Sequence, residues 1–457
     1  MQKIIAEMCT VVGRANVLIG EEISEEYAHD ESLIVDRHFP EIVAKPGSVE
    51  EVAGIMRLAD KERVPVTPRG SGTGLSGGCV PILGGILLSL ERMNKIIEID
   101  KDNSVAVVEA GAILAELHKA ARAAALYYPI YPGEESATIG GNVATNAGGM
   151  RAVKYGVTRH FVIGLEAVLP KGQIISTGGK YVKVSSGYDL TQLLIGSEGT
   201  LAVITKVILR LLPYPKASTT LFVPFRSLND GVKAVPEILK SGNIPATIEF
   251  LEKLGLDAME EYTGSRVPLD STVRDKAEAF LLIIVEGKNS DDTFRDADVI
   301  SEICLKHGAI DALIPSQEKT SHDLLQLREK AFYAAKDAGA TDLLDVVVPR
   351  GEIAQFVQSV HGIASKYDSI VTGAGHAGDG NIHLAVIEQD PDKLSNIRKE
   401  IYRVGKSLGG AISAEHGIGC GRREHFMETE ATPIIRVMRG IKKVFDPHNI
   451  MNPGKIL

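Results

Sequence analysis

The apolar positions of the chain change period in a regular way. Over residues 48–62 they recur at Val49, Val52, Ile55 and Met56, one face of a helix, with Ser48 placed to cap its first turn. Residues 41–44, 64–68, 85–90, 96–100 and 104–109 are short apolar or alternating runs, which predict strands. Residues 112–125 predict another helix, and strands are expected again at 162–169 and 174–177. The alternating run 201–212 ends at Pro213 and Pro215, which marks a boundary. Beyond it, the strand-like runs 221–224, 246–251 and 280–286 are each joined to a helical pattern, at 228–241, 292–307 and 320–338. Residues 1–40 read as short helices closed by Pro40. The fold class is α+β, with an antiparallel sheet in the second unit.

Glycine sharpens this map. The chain has 46 glycines in 457 residues, above the usual share of about 7%. Of these, 21 lie between Gly70 and Gly199, 12 between Gly373 and Gly454, and only 9 in the stretch 200–371. The domain reading is therefore 1–215, then a glycine-poor unit 216–410, then a segment 411–457 that returns to the first domain. The net charge of −9, without a basic strip, argues against nucleic-acid binding. Cys9, Cys79, Cys304 and Cys420 are far apart, which indicates neither a disulfide framework nor an iron–sulfur motif. No apolar run is long enough to span a bilayer, and Glu7 interrupts the first apolar stretch, so no signal peptide is expected. A cytoplasmic location is expected.

The first glycine loop is Pro68-Arg69-Gly70-Ser71-Gly72-Thr73-Gly74-Leu75-Ser76-Gly77-Gly78. Its glycines let backbone N–H groups converge on an anion, and Ser71, Thr73 and Ser76 add hydroxyls, so a diphosphate is its natural guest. It has no G-K-[ST] and is not a P-loop. Residues 72–77 read G-x-G-x-x-G, but Pro81 and a strand follow where a Rossmann loop would open a helix. The glycine-rich stretch 132–156 is too long for an idle connection, and the second loop runs from Tyr131 to Gly149. Its small residues, amides and hydroxyls suit close approach to a flat, hydrogen-bonding ligand. The third segment, 187–205, reads as helix, tight turn and strand.

Together the three segments resemble the FAD-binding domain of the vanillyl-alcohol oxidase/p-cresol methylhydroxylase flavoproteins. The shared motifs are P-R-G-x-G-T-x-x-x-G-G, G-G-x-x-A-T-N-A-G-G and G-S-E-G-T-L-x-x-I-T. The resemblance implies a two-part FAD-binding domain with a cap. It implies that Arg69, Gly70, Ser71, Gly72, Thr73, Gly74 and Ser76 hold the pyrophosphate. Pro132, Gly133, Thr138, Gly140, Gly141, Thr145, Asn146 and Gly149 would flank the isoalloxazine, with Glu198, Gly199 and Ile204 along the adenine side. Some relatives carry a His in the first loop that bonds covalently to the flavin. Thr73 stands there in this chain, so non-covalent FAD is expected.

Residues 375–384 form a second cluster, Gly-His-Ala-Gly-Asp-Gly-Asn-Ile-His-Leu. A turn at Asp379-Gly380 brings His376 beside His383. With Glu415, from Ser413-Ala414-Glu415-His416-Gly417-Ile418-Gly419, they make a His₂Glu set suited to a catalytic divalent metal. Zn²⁺, Mn²⁺, Fe²⁺ and Co²⁺ fit such a set alike. On residue types alone, a zinc hydrolase built on His376, His383, Glu415 and His416 stays open, as does a non-catalytic flavin-binding subunit.

The motifs H-x-G-D-G-N-x-H and E-H-G-I-G resemble those of FAD-dependent D-2-hydroxy acid dehydrogenases, which include D-lactate dehydrogenases, glycolate oxidase catalytic subunits and D-2-hydroxyglutarate dehydrogenase. The resemblance implies that His376, His383 and Glu415 bind the metal, that His416 is the catalytic base and that flavin N5 accepts hydride. It places Asn452, in the closing Asn-Pro pair, near the flavin. It also places a substrate-carboxylate Arg at Arg328, with Arg350 as second choice; a guanidinium grips a carboxylate with two bonds. The hydroxyglutarate branch carries a Lys where this chain has Asp342-Leu343-Leu344-Asp345-Val346, which favours D-lactate first and glycolate second over a dicarboxylate. Electrons would leave through a protein partner, an electron-transferring flavoprotein or an iron–sulfur subunit.

Overall fold

The computed structural model describes residues 2–242, 244–315 and 318–457. Ser48 caps the expected helix: its Oγ accepts from the Glu51 N–H at 3.3 Å, and the helix runs Val49–Glu62. Its Val52, Ile55 and Met56 are buried in the first core. There lies a four-stranded sheet of β1 (Val17–Ile19), β2 (Ile42–Ala44), β3 (Val66–Arg69) and β4 (Ile86–Ser89), in the order β1-β2-β4-β3. β2 and β3 run parallel to β4, and β1 is antiparallel to β2. β1 lies in the stretch expected to be helical; its three apolar residues gain a ladder only when the chain folds back onto β2.

The second sheet contains β5 (Ile96–Asp100) and β6 (Val105–Glu109). The short β7 (Leu126–Tyr127) lies apart from it. The sheet continues with β8 (Val162–Val168), β9 (Ile174–Gly178) and β10 (Val203–Arg210), ordered β5-β6-β10-β8-β9 and antiparallel throughout. β7 pairs with β11 (Leu212–Pro213). The long glycine loop is more ordered than its composition predicts. It contains the helix Ile139–Thr145, capped by Thr138 Oγ1, which accepts from the Gly141 N–H at 3.2 Å. Gly140 is required there because an added Cβ would meet Ala110 Cβ at 2.6 Å.

The cap is built on a six-stranded antiparallel sheet. Its strands are β12 (Ala217–Phe225), β13 (Thr247–Glu252), β14 (Ala279–Gly287), β15 (Asp342–Val347), β16 (Ile370–His376) and β17 (Asn381–Ile387), in the order β12-β14-β13-β16-β17-β15. One face packs helices Leu228–Lys240, Ser290–Lys306, Ile353–Tyr367 and Pro391–Ser407. The other carries Lys253–Thr263, Glu318–Glu329 and Ala331–Asp337. The single helix expected over 320–338 is thus two helices, broken at Lys330, whose φ of −84° and ψ of 2° are not helical. The second piece packs along Lys253–Thr263. The last segment divides between the units: Ile412 joins the cap core, while Ile450 and Met451 join the first.

Candidate active site

Two cavities meet between the units. The first, of about 220 Å³, is walled by the three glycine-rich segments. Arg69, Gly70, Ser71, Gly72, Thr73, Gly74 and Ser76 line it, as do Pro132, Thr138, Gly140, Gly141, Thr145, Glu198, Gly199 and Ile204. Two buried polar atoms in this wall, Asn142 Nδ2 and Asp30 Oδ2, have no hydrogen-bond partner among the described residues, as expected of a cradle for a polar cofactor. Gly133 lines the second cavity instead.

Asn146, Gly149 and Asn452 sit behind the lining. Asn146 ends the helix Ile139–Thr145 in a left-handed conformation. Gly149 takes φ +117°, and a Cβ there would lie 2.6 Å from the Tyr131 carbonyl carbon, so only glycine fits. Asn452 Nδ2 donates to the carbonyls of Gly78 and Glu198, at 2.8 and 2.7 Å, and ties the C-terminus to two of the glycine segments.

Glu198 is a second tie. Its carboxylate accepts from the Ile418 and Gly419 N–H groups at 2.8 and 2.6 Å. Burial pushes its pKa up to about 7 while those N–H donors pull it down. Ser76 Oγ donates to the carbonyls of His416 and Gly417, at 3.0 and 2.9 Å. The loop carrying Glu415 and His416 is therefore held by residues of the first domain.

The second cavity, of about 270 Å³, lies under the cap. At its inner end His376, His383 and Glu415 converge. His376 Nε2 is 3.3 Å from His383 Nε2, and both are 3.4 Å from Glu415 Oε1. The β16–β17 hairpin produces the pair: Ala374 faces His383 across the ladder and His376 faces Asn381, with Gly380 turning the backbone at φ +96°. Two imidazole nitrogens and a carboxylate oxygen aimed at one point suit a divalent cation. His416 stacks on His383, with centroids 5.1 Å apart and planes 9° apart.

Two buried carboxylates that sequence reasoning missed organise this cluster. Glu249, on β13 directly opposite His376, accepts from the His376 Nδ1–H at 2.6 Å. With the Nδ1 proton held there, the neutral ring presents its Nε2 lone pair to the cluster. Burial by itself would lower the pKa of His376, but the Glu249 and Glu415 carboxylates outweigh it and raise the value well above normal. His383 goes the other way, to about 3, because burial is reinforced by its two histidine neighbours against the pull of Glu415. Asp345 Oδ2 accepts from Ser413 Oγ and from the N–H groups of Ala414, Glu415 and His416, all at 2.8–2.9 Å. Burial raises the Asp345 pKa, yet His416, His383 and these donors hold it below the usual carboxylate range. The signal for both was a lone acid inside an apolar strand, in Thr-Ile-Glu-Phe-Leu and Leu-Leu-Asp-Val-Val.

Arg328 lines the cap cavity and is its only Lys or Arg among the described residues. Its Nε donates to Glu249 Oε2 at 2.9 Å, and its Nη2 lies 2.8 Å from the same oxygen in an ion pair. Arg350 is exposed and does not line the cavity. Glu415 and His416 line both cavities.

Residues 40–178 match the model of the FAD binding domain, and residues 214–456 that of the C-terminal domain of FAD linked oxidases. An uncharacterized FAD-linked oxidoreductase of Mycobacterium tuberculosis is 45% identical over 100% of this chain and 99% of its own. A D-lactate dehydrogenase of Anaerostipes hadrus is 40% identical over 96% of this chain and 94% of its own. The fold also matches p-cresol methylhydroxylase, with a TM-score of 0.81 at 16% identity, covering 100% of this chain and 96% of that one. The chain therefore belongs to the FAD-linked oxidoreductases, on the vanillyl-alcohol oxidase/p-cresol methylhydroxylase fold.

Proposed function

We propose that the protein oxidises a D-2-hydroxy monocarboxylic acid, D-lactate being the simplest, to the 2-oxo acid. One observation carries the reading: Glu415 and His416 stand where the FAD cleft and the cap cavity join. A substrate held there would have its hydroxyl within reach of the histidines and its Cα on the side of the cleft that would hold the flavin. The 40% identical D-lactate dehydrogenase supports the substrate class.

When bound, non-covalent FAD supplies the hydride acceptor and a divalent cation (Zn²⁺, Mn²⁺ or Fe²⁺) supplies charge that acidifies the substrate hydroxyl. His376, His383 and Glu415 would hold that cation. His416 Nε2 takes the hydroxyl proton as Cα loses hydride. Glu249 keeps the Nδ1 proton on His376, and Asp345 fixes the turn that aims Glu415 and His416. The side of the Arg328 guanidinium not used by Glu249 receives the substrate carboxylate. Glu31, Glu134 and Glu329 line the same cavity, which disfavours a second substrate carboxylate. The acidic protein passes its electrons to a protein partner. Its four cysteines are free thiols, which suits the reducing cytoplasm, and no helix of the described residues is long and apolar enough to cross a membrane.

The test is anaerobic titration of the FAD-loaded protein. D-lactate is expected to bleach the flavin band and L-lactate to leave it, with the rate lost after chelation and restored by the metal. A flavin that no 2-hydroxy acid reduces would overturn the proposal.

A further inference from the structure

The cap cavity is far larger than lactate needs. Lactate presents one methyl group beyond its reacting carbon, whereas the cavity continues past the histidines along the sheet. Its floor is the outer face of the β16–β17 hairpin. Side chains two apart on a strand share a face, and the register pairs Ala374 with His383, Thr372 with Ala385 and Ile370 with Ile387. All these residues line the cavity. From His383 to Ile387 the floor runs roughly 13 Å, at about 3.3 Å per residue. It ends where Ile370 and Leu254 are 49% and 54% exposed, so the far end opens to solvent.

The opposite wall mixes small residues with the larger Leu254, Met259, Phe332 and Tyr333. Gly255 and Ala258 face the cavity from helix Lys253–Thr263, and Ala331 and Ala335 from helix Ala331–Asp337. A Cβ added to Gly255 would lie 3.7 Å from Thr372 Oγ1, an ordinary contact, so a longer side chain there would press on the floor. Thr372 is the one polar side chain of this floor beyond the histidines, and its buried hydroxyl has no partner among the described residues. The cavity's carboxylates are already engaged on its other side: Glu31 pairs with Lys336, Glu134 accepts from Tyr333 and Glu329 accepts from Tyr131.

We infer that this channel binds an unbranched alkyl group, and that the preferred substrate is a D-2-hydroxy fatty acid of medium length. The inference rests on the proposed D-2-hydroxy acid oxidation and specifies the substituent on the reacting carbon. The charged end of the cavity takes the carboxylate and hydroxyl, and the apolar end takes the alkyl tail. Each methylene removed from water adds transition-state binding equivalent to about a fourfold gain in kcat/KM.

The experiment compares D-lactate, D-2-hydroxyhexanoate and D-2-hydroxyoctanoate as reductants of the FAD-loaded protein. D-2-hydroxyhexanoate is expected to exceed D-lactate by roughly fiftyfold in kcat/KM, from three added methylenes. Gly255→Leu should fill the channel, erase that gain and leave D-lactate turnover within about twofold of the parent, since the site lies outside the reacting end. If D-lactate reduces the flavin but kcat/KM is flat or falls with substrate length, the channel is overturned while the oxidation reading stands. If no 2-hydroxy acid of any length reduces it, both fail. A Gly255→Leu protein that keeps the full length-dependent gain also overturns the channel. The parent series decides the matter even where the variant does not fold.

Discussion

The FAD cleft and the cap cavity adjoin at Glu415 and His416 but are made in different ways. The cleft is walled by three contiguous segments, and much of its shape comes from backbone and missing side chains. The cluster in the cap cavity is made of side chains from β13, β15, β16, β17, a helix and the C-terminal loop. Glu249 and Arg328 are 79 residues apart, and Asp345 and His416 are 71 apart. The first kind of site tolerates little added volume. The second depends on charges that are buried but mutually satisfied.

If the division is right, substitutions on the two sides separate cofactor binding from chemistry. The largest effect is expected from His416→Ala. We expect kcat with a D-2-hydroxy acid to fall by about 10²–10⁴-fold, the usual worth of a general base, while FAD content per protein molecule stays at one. Stopped-flow flavin reduction and the flavin-to-protein absorbance ratio read the two quantities. Unchanged reduction would remove His416 as the base.

A smaller and opposite signature is expected from Gly149→Ala. The added methyl meets the Tyr131 carbonyl and forces a conformation that costs alanine roughly 1–3 kcal/mol. FAD affinity should fall about tenfold to a hundredfold, and activity should return with excess FAD. Activity that stays lost when the flavin site is saturated would mean that the cleft and the cluster are not separable.

The third effect is read in stability and not in turnover, and concerns the tie between them. Burial raises Glu198 from 4.5 to about 7. A carboxyl raised in the folded state contributes stability that is full below pH 4.5 and lost as pH rises through about 7. Glu198→Gln does not titrate, so its stability relative to the parent should improve between about pH 4 and pH 8, by up to about 3 kcal/mol. Urea denaturation at both pH values measures the difference, and a pH-independent difference would show that the N–H donors of Ile418 and Gly419 keep Glu198 ionised.

The two regions were also unequally readable in the sequence. The glycine segments were legible because each is contiguous and turns on local chemistry. Gly70 to Ser76 and Glu198 to Gly199 line one cleft together. Asn146, Gly149 and Asn452 were legible as motif residues, but their place behind the lining was not, since a motif does not say which way its members point. The His376–His383 pair was visible because a hairpin turn is a local feature. Glu249 was visible only as an acid in an apolar strand.

Amino-acid order alone determined the alternation of strands and helices, the glycine loops and the hairpin that pairs two histidines. Each depends on residues within a few turns of one another, where periodicity, capping and φ preferences act. Tertiary structure decided what those parts face. The β13–β16 register set Glu249 against His376 and, through it, Arg328. Packing of helices Lys253–Thr263 and Ala331–Asp337 beside β16 and β17 left a cavity between them. Such contacts join residues tens to hundreds of positions apart, and only folding brings their distances within bonding reach.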